Sequence, residues 1–560
     1  MPIQSRWTVP IPQQSLQKWV FGSSFGPLPD RVTFVDADNP DTRSLTFSEY
    51  RLLSKRVALG LQKAGLAHGD RVLLFSGNSL FFPAVFMGVL MAGGIFTGAS
   101  PAFGSMEFSH QLINSGARFV IAGKKNVLVA LDAMERNGLL KANLYTFDDA
   151  LSNVGGTSQH DINHWSALLA NPEEAERFDW VEPSDPRAST CCLNYSSGTT
   201  GLAKGVEISH YAYIANGVAC HFLEQQSPES RELLKTSKSL CFLPLYHAAG
   251  QTTFVANQPK LGVTTYIMPE YNFEKLLQHI QRFKITSLSA APPIILNIAK
   301  SPLCAKYDLS SVRDVTCGTA PLSREVADET EQKLWPHGEN FVRQGWGMTE
   351  ITCAGLLWST EDMQKSISVG EAVPNGQFKI MDGEREVTEP NKVGEIWYSG
   401  PTLMKGYWRN PKATADTIIE DGGVRWIKTG DLAYVDRFAP GAKVFIVDRV
   451  KELIKVRGFQ VSPAELEGVL LDRKDIVDVG VVGVMVNGEE VPRAYVVKGA
   501  DVSEREITKW LEGRVAKYKW LRGGVVFVDS IPKTLSGKIL RRSLREMAKA
   551  SDGKIKAKLS

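Results

Sequence analysis

The stretch from Tyr195 to Val206 contains the residue types that bind a polyphosphate. Hydroxyl side chains surround a glycine, and a second glycine and a lysine follow; the set is Ser196, Ser197, Gly198, Thr199, Thr200, Gly201 and Lys204. Glycine lets backbone N–H groups approach an anion closely, while hydroxyls and an ammonium add donors. In a Walker A loop the lysine directly follows the second glycine, but here Leu202 and Ala203 intervene. A Ser/Thr/Gly-rich surface loop is the alternative interpretation of the composition alone.

A second string, Gln344–Glu350, places Thr349 directly before Glu350 in a glycine-flanked loop. Mg²⁺ usually takes one or two carboxylates together with nucleotide oxygens. Glu350 could therefore hold Mg²⁺ while Thr349 contacts a phosphate. A helix start capped by Thr349 is the alternative interpretation.

Asp431 follows Gly430 and precedes the predicted strand Leu432–Val435. A carboxylate just after a glycine turn suits the acceptance of hydrogen bonds from ribose hydroxyls, as in other nucleotide sites. Taken alone, the string also fits an ordinary Asx turn.

Two basic strings follow in the last third of the chain. In the first, 448–467, Gly458 interrupts the basic run and Ser462 predicts a helix start. In the second, 531–542, Lys538 follows a Ser-Gly turn, so a loop could deliver its ammonium to a phosphate or a carboxylate. The alternatives are a solvated basic face and an exposed helix start, and we prefer the helix start for Arg541 and Arg542.

The elements that must position these residues alternate between helix and short strand. Thr46–Glu49 is a capping box that opens an amphipathic helix ending near Gly65. Strands are predicted at Arg71–Phe75 and Phe119–Ala122, and a helix at Phe273–Phe283. This alternation predicts an α/β fold with a largely parallel sheet.

The pattern of predicted helices and strands changes in the second half of the chain. Further strands are predicted at Leu240–Leu243 and Ile285–Ser289, and short strands separated by turns from Gly376 to Val447 predict a β-rich subdomain. After Asp448, strands and charged helices alternate again, and Ser503–Val515 is the clearest helix. A chain of 560 residues is too long for a single core.

Composition excludes several classes of protein. A net charge of +3 provides no global field that would attract nucleic acid, and the seven cysteines show no CxxC spacing, which favours reduced thiols in an intracellular protein. Leu80–Phe96 is apolar and uncharged, but Pro83 and Gly88 favour a buried helix over a transmembrane segment. No apolar region typical of a signal peptide follows the N-terminus. The C-terminal Ala-Lys-Leu-Ser differs by Ser560 from an ending like the peroxisomal address, so we expect a cytoplasmic protein with the peroxisome as the alternative.

In their order and combination, these motifs resemble the adenylate-forming (ANL) superfamily, and most closely its 4-coumarate–CoA ligase branch. The resemblance runs from about Thr46 to Met547. It implies a large N-terminal domain, 1–448, of α/β subdomains plus the β-rich subdomain. It also implies a small mobile α+β C-terminal domain, 449–560, that turns about a hinge near Lys451.

The resemblance implies a role for each nucleotide-site residue. The loop Ser196–Gly201 with Lys204 would bind the β- and γ-phosphates of ATP, Thr349 the α-phosphate, and Glu350 Mg²⁺. The adenine would lie against Ala320, Pro321, Gln344 and Gly345. Asp431 and Arg449 would bind the ribose, and Lys538 would bridge the substrate carboxylate and the phosphate. In a second domain orientation, Lys455 and Gln460 would reach the adenylate, and Arg457 and Gly458 would bind coenzyme A.

The acyl pocket is implied in the same way. Its lining would be His247, Ala249, Thr253, Gly318, Thr319, Gly347, Cys353 and Ala354, with His247 as the aromatic gate between this pocket and the thiol tunnel. The small side chains Ala249 and Gly347 leave room for an aryl, arylalkyl or medium-chain fatty acid. No buried Asp or Glu is evident to pair with an amino group, which argues against an α-amino acid substrate.

The implied activity is an ATP- and Mg²⁺-dependent acid–CoA ligase, acting as a monomer or homodimer on a small carboxylic acid. Glu270 departs from many plant enzymes of the branch, which carry a CoA-binding Lys there, and Arg457 replaces a common Lys with its charge kept. An adenylating enzyme that passes the acyl group to a carrier protein or another acceptor is therefore the alternative. A non-catalytic AMP-sensing or scaffold protein is a third hypothesis, which the joint presence of Glu350, Asp431 and Lys538 disfavours.

Overall fold

The computed structural model describes residues 2–151, 161–196, 202–457, 459–486, 488–534 and 537–559, and for 551–559 the backbone alone. In chain order, the helices are α1 (Leu16–Phe21), α2 (Phe47–Lys63), α3 (Phe82–Met91), α4 (Ser105–Ser115), α5 (Val127–Arg136), α6 (Pro172–Glu176), α7 (His210–Glu224), α8 (Pro228–Lys235), α9 (Ala248–Gly250), α10 (Gln258–Leu261), α11 (Phe273–Phe283), α12 (Pro292–Lys300), α13 (Arg324–Leu334), α14 (Pro411–Thr417), α15 (Pro463–Leu471), α16 (Glu504–Glu512) and α17 (Arg541–Leu559).

The strands, in chain order, are β1 (Ile3–Gln4), β2 (Val32–Asp36), β3 (Ser44–Thr46), β4 (Arg71–Phe75), β5 (Ile95–Ala99), β6 (Ala117–Gly123), β7 (Leu144–Phe147), β8 (Asn163–His164), β9 (Thr190–Ser196), β10 (Lys204–Ser209), β11 (Lys238–Cys241), β12 (Thr264–Ile267), β13 (Ser287–Ala290), β14 (Asp314–Cys317), β15 (Arg343–Gln344), β16 (Trp346–Gly347), β17 (Ala354–Leu357), β18 (Glu371–Ala372), β19 (Gln377–Asp382), β20 (Arg385–Glu386), β21 (Gly394–Ser399), β22 (Gly406–Tyr407), β23 (Ile418–Asp421), β24 (Val424–Val435), β25 (Val444–Arg449), β26 (Ile454–Val456), β27 (Phe459–Val461), β28 (Ile476–Val486), β29 (Glu489–Lys498) and β30 (Val525–Phe527).

Two sheets of mainly parallel strands are formed by the chain from Val32 to Tyr407. One has the order β22-β10-β9-β5-β4-β6-β7-β8, and the other the order β15-β14-β13-β11-β12-β2-β3. Helices pack against these strands, and both faces are apolar, as parallel sheets require. The α/β fold predicted from the alternation of elements is therefore confirmed.

Local sequence signals account for the helix ends around these sheets. The Thr46 hydroxyl accepts from the Glu49 N–H at 3.1 Å, and the Glu49 carboxylate accepts from the Thr46 N–H at 2.8 Å, so the predicted capping box forms. Every residue of α3 is buried, and Gly93 turns the chain with φ of +82° into β5. Among the described residues, no helix is both long enough and apolar enough to cross a membrane.

The β-rich part is a sheet of antiparallel pairs with the order β1-β19-β21-β24-β23, to which β20 and β25 add. Its strand β21 coincides with the predicted Gly394–Ser399. Two other predicted boundaries are wrong by two residues: β11 ends at Cys241 rather than Leu243, and β13 begins at Ser287 rather than Ile285.

The C-terminal part has a hydrophobic core of its own around the sheet β28-β29-β30. Helix α17 is held to α15 by Arg541, which forms a bidentate ion pair with Glu467. The Arg541 side chain is only 12% exposed, so the expectation of an exposed basic residue at this position is wrong. Arg542 is exposed, as expected, and pairs with Glu546 one turn later at 2.9 Å.

Candidate active site

A cavity of about 1620 Å³ brings together residues from both halves of the chain. From the nucleotide motifs, its lining includes Ser196, Lys204, Gln344, Gly345, Thr349, Glu350, Arg449, Lys451 and Lys538. It also includes all eight expected acyl-pocket residues, namely His247, Ala249, Thr253, Gly318, Thr319, Gly347, Cys353 and Ala354. One continuous space can therefore hold a nucleotide beside a second, largely apolar ligand.

Glu350 is a buried carboxylate at the nucleotide end of this cavity. Its Oε1 accepts hydrogen bonds from the Ser196 hydroxyl and the Tyr407 hydroxyl, both at 2.9 Å. Burial, together with the neighbouring Glu350 charge, raises the pKa of the Tyr407 hydroxyl, which therefore remains a donor. Lys204 lies over the Tyr407 ring, 4.1 Å from its centroid. The motif residues Ser196, Lys204 and Glu350 thus meet around one tyrosine.

The phosphate-loop residues divide between described and undescribed positions. Ser196 ends β9 and Lys204 begins β10, and these two residues pair directly across the antiparallel strands. The structure thus places the two ends of the loop next to each other at the cavity. The predicted phosphate contacts Ser197, Gly198, Thr199, Thr200 and Gly201 lie outside the described residues.

Asp431 is held in one orientation by two donors. Its Oδ2 accepts from the Trp346 indole N–H at 2.8 Å, and its Oδ1 accepts from Arg449 Nε at 3.0 Å. The prediction that Asp431 precedes a strand is wrong, because β24 runs continuously from Val424 to Val435. Asp431 pairs with Arg449 across β24 and β25, next to a register shift and to Gly430 at φ of +73°. The pairing of β24 with β25 thereby places the Asp431 and Arg449 side chains next to each other.

Gln344 shapes the loop after β14 rather than only lining the cavity. Its Oε1 accepts from the Leu322 N–H at 2.9 Å, and its Nε2 donates to the Leu322 carbonyl at 3.0 Å. Thr319 in this loop has φ of +78°, a strained value for a residue with a branched side chain. The cavity lining includes Thr319 but not Ala320 or Pro321, the residues expected against the adenine.

Lys538 enters the cavity from the C-terminal part of the chain. Burial and the neighbouring Arg449 lower the pKa of its ammonium, while Asp431 and Glu350 oppose that shift. Gly537 has φ of +84°, and a Cβ there would lie 2.9 Å from Pro293 Cδ, so glycine is needed for the loop to approach this closely. Glu350, Asp431, Arg449 and Lys538, which span almost 190 positions of the sequence, thus interact electrostatically with one another.

Three predicted residues of the C-terminal part, Lys455, Arg457 and Gln460, do not line the cavity. Lys455 and Gln460 pair across β26 and β27 and are exposed. Arg457 is exposed and donates from Nε to Glu489 at 2.8 Å, while Gly458 lies outside the described residues. Lys451, the expected hinge, lies between β25 and β26 and lines the cavity. The structure thus has Lys538 in the cavity and Lys455 outside it.

The expected acyl end of the cavity includes His247. Burial, with Lys538 nearby, lowers the pKa of His247 to about 4, so the ring is neutral at physiological pH. It precedes α9 and a seven-residue π-helix, Gln251–Asn257, of a kind often found at functional sites. A Cβ at Gly347 would lie 1.7 Å from the Cys353 carbonyl oxygen, so this glycine is required by strand packing whatever the substrate. Of the two small residues expected to leave room in the pocket, Ala249 therefore remains the predicted determinant of its size.

Sequence reasoning missed three residues of this site: Trp346, Tyr407 and Glu224. Trp346 stands within the recognised 344–350 string, but nothing in its spacing indicates that it binds Asp431. Tyr407 lies in none of the sequence motifs described above, so no pattern indicated it as a site residue. Glu224 lies at the end of α7 and lines the cavity, but it is exposed, so it is not the buried acid that an amino-acid substrate would need.

Comparison with known sequences identifies the family. The AMP-binding enzyme family profile matches residues 25–408, and that of the AMP-binding enzyme C-terminal domain matches residues 465–538. The chain belongs to the AMP-binding enzyme family. This confirms the resemblance to the adenylate-forming superfamily.

Named relatives of this AMP-binding enzyme are similar along almost their whole length. A phenylacetyl-CoA ligase of Aspergillus niger is 35% identical over 554 residues, covering 98% of this chain and 99% of the relative. A 4-coumarate–CoA ligase of Pinus taeda is 38% identical over 524 residues, covering 92% of each. An anthranilate CoA ligase structure with anthranoyl-AMP shares the fold, with a TM-score of 0.81 at 21% identity over 97% of this chain and 99% of that one.

Proposed function

We propose that this AMP-binding enzyme uses ATP to convert a carboxylic acid to acyl-AMP and then to acyl-CoA. The acid is an aryl, arylalkyl or medium-chain fatty acid. The observation that carries the proposal is the convergence of Lys538, Glu350, Arg449 and the expected acyl lining on one cavity. The phenylacetyl-CoA and 4-coumarate–CoA ligases among its relatives support the same class of reaction.

In the first step, a carboxylate oxygen attacks the α-phosphorus of ATP, and the bond from that phosphorus to the bridging oxygen breaks, releasing pyrophosphate. Two anions must approach each other, and the Lys538 ammonium lowers their repulsion. Asp431 and Arg449 hold the ribose, and Thr349 contacts the α-phosphate. The chain forms no covalent intermediate, so positioning and charge neutralisation supply the catalysis.

The residues around Glu350 fit a magnesium ion. Mg²⁺ usually keeps several waters and takes one or two carboxylates plus substrate phosphates. Glu350 is a single buried carboxylate beside the Ser196 hydroxyl, and among the described residues no cluster of three His, Cys, Asp or Glu could hold a metal by itself. When bound, the ion would supply positive charge to the phosphate oxygens.

In the second step, the C-terminal domain, 449–560, turns about Lys451 and exchanges Lys538 for Lys455 and Gln460. The CoA thiol then attacks the acyl carbon, the carbon–oxygen bond to phosphate breaks, and AMP leaves. His247 gates the passage between thiol and acyl group, and Arg457 with Gly458 binds CoA. The cavity position of Lys538 and the exposed positions of Lys455 and Gln460 suit the orientation that precedes this turn.

A second acceptor is kept as a candidate because of Glu270. Its carboxylate forms an exposed ion pair with Lys125 at 2.6 Å, at the position where the resemblance to plant coumarate ligases implies a CoA-binding lysine. Transfer of the acyl group to a carrier protein or to another nucleophile would not need that cation. The fold does not separate the two, because an amide bond synthetase of Marinactinospora thermotolerans shares it with a TM-score of 0.78.

The test is a two-part assay over a panel of aryl, arylalkyl, medium-chain and long-chain acids. Pyrophosphate release without CoA measures adenylation, and thioester formation with CoA measures transfer. We expect both with at least one aryl, arylalkyl or medium-chain acid. Pyrophosphate without thioester would favour the other acceptor, and no pyrophosphate with any acid would refute the proposed function.

A further inference from the structure

One face of α7 lines the cavity with three residues spaced four apart. Asn216, Cys220 and Glu224 fall on the same side of the helix, and all three are cavity-lining. Asn216 Nδ2 donates to the Ala354 carbonyl at 3.1 Å, which ties this stripe to the wall of the acyl pocket. The stripe therefore continues that pocket away from the nucleotide.

Glu224 ends the stripe with an unpartnered carboxyl. Its side chain is exposed and lines the cavity, and no described residue forms a hydrogen bond or ion pair with it. Its neighbour Asp314, in contrast, pairs with Arg343 at 3.2 Å.

The α7 face joins Glu224 to the expected acyl lining through Cys220 and through Asn216, which is bonded to Ala354. Burial raises the pKa of the Cys220 thiol, and the charges of Glu224 and Cys353 both contribute to that shift. Cys353 is one of the acyl-pocket residues, so the carboxyl, the two thiols and the pocket form one neighbourhood.

Two buried amides add unmet acceptors to the same cavity. Asn216 is fully buried and Asn257 is 6% exposed, and the Oδ1 atom of each has no hydrogen-bond partner among the described residues. Buried polar atoms in folded proteins are normally hydrogen-bonded. Both residues line the cavity. A ligand group that donates hydrogen bonds would satisfy these atoms.

We propose that the α7 stripe ending at Glu224 is a distal specificity site, which binds a hydroxyl or amino group on the substrate acid at the end remote from its carboxylate. The inference rests on the proposed function, whose acyl pocket it extends. Both the hydroxyl and the amino group of the substrate would donate a hydrogen bond to Glu224, but only the protonated amino group carries a charge. A site built to hydrogen-bond a substrate group discriminates strongly against analogues that lack it.

The test uses matched arylalkyl acids whose distal group is hydrogen, hydroxyl, O-methyl or amino. For each acid, the kcat/KM of pyrophosphate release and the Kd from calorimetry are measured with wild type, Glu224→Leu and Glu224→Gln. Glu232→Leu, which removes an exposed α8 carboxylate paired with Lys235, is the matched control.

Wild type and the control variant should prefer the hydroxyl acid over its O-methyl analogue by roughly tenfold or more. Glu224→Leu should abolish that preference, and Glu224→Gln should keep it for the hydroxyl acid but lose it for the amine. The inference is overturned if Glu224→Leu leaves the preference unchanged in both measurements. Because Kd reports the distal site without turnover, loss of all pyrophosphate release would count against the proposed function alone.

Discussion

Replacing Lys538 with alanine should separate the two half-reactions of this enzyme. In the structure, its ammonium enters the cavity among Arg449, Asp431 and Glu350, whereas Lys455 is exposed elsewhere. Only the first half-reaction brings two anions together. Lys538→Ala should therefore lose acyl-AMP formation and still convert supplied acyl-AMP to the thioester.

The expected size of the loss follows from the enclosure of Lys538. Two unit charges 4 Å apart interact with about 4 kcal/mol at an effective permittivity of about 20. Removal of one preorganised donor from a site of charge development typically costs about 3–4 kcal/mol. Since ~1.4 kcal/mol is a tenfold change in rate, adenylation should fall by roughly 10²–10³-fold.

The assay is pyrophosphate release in the absence of CoA, compared with thioester formation from synthetic acyl-AMP. Lys533→Ala is the matched control, because Lys533 is on the same loop but pairs with Asp478 at 2.6 Å within the C-terminal part. An equal fall in both half-reactions of Lys538→Ala would refute the assigned role, and so would an equal effect of Lys533→Ala.

The remaining predictions concern domain orientation, the acyl pocket and CoA. The carboxyls of Asp472 and Glu325 meet across the two parts of the chain, where burial and then Glu325 raise the pKa of Asp472 from 3.8 to about 6. A raised pKa means that this orientation favours the protonated Asp472 carboxyl, so the population of the orientation should fall as pH rises from about 3.8 to about 6 and then level off. Energy transfer between dyes on the two domains measures this population. The same pH dependence in Asp472→Asn would contradict the assignment. Ala249→Phe should raise KM for arylalkyl acids and leave KM for ATP unchanged in steady-state assays; equal changes in both would argue against a pocket at Ala249. Gly347→Ala should instead lower the melting temperature, because its Cβ would meet a carbonyl oxygen at 1.7 Å, and an unchanged temperature would contradict that packing argument. Glu270→Lys should lower KM for CoA without altering CoA-independent pyrophosphate release, and an unchanged KM would mean that this position does not face CoA.

Local signals in the sequence predicted many of the helices and strands. The capping box at Thr46 and the helix Phe273–Phe283 form as predicted, because both depend on contacts within a few residues. The family was recognisable for a related reason: each motif is a contiguous string whose residue types suit one part of a nucleotide. The cavity, in turn, collects residues from several of those strings, including Ser196, Glu350 and Lys538.

Strand boundaries were less predictable, because pairing partners rather than local propensity decide where a ladder ends. Asp431 shows this most clearly. Its Gly-Asp string looks like a turn in sequence, yet a partner strand carrying Arg449 extends β24 through it. Arg541 is similar, since only the packing of α17 on α15 reveals the ion pair that buries it.

By itself, the sequence determined the family, the nucleotide motifs and the helices whose caps and apolar stripes are local. Only the tertiary structure decided which donors hold Asp431 and Glu350, and that Lys538 rather than Lys455 enters the cavity. It also decided that Glu224 faces the cavity. The spacing of residues in the sequence does not predict these contacts. They depend on how separate sheets and the C-terminal domain enclose one cavity, where charged groups lose solvent and polar groups without a protein partner can bind a ligand.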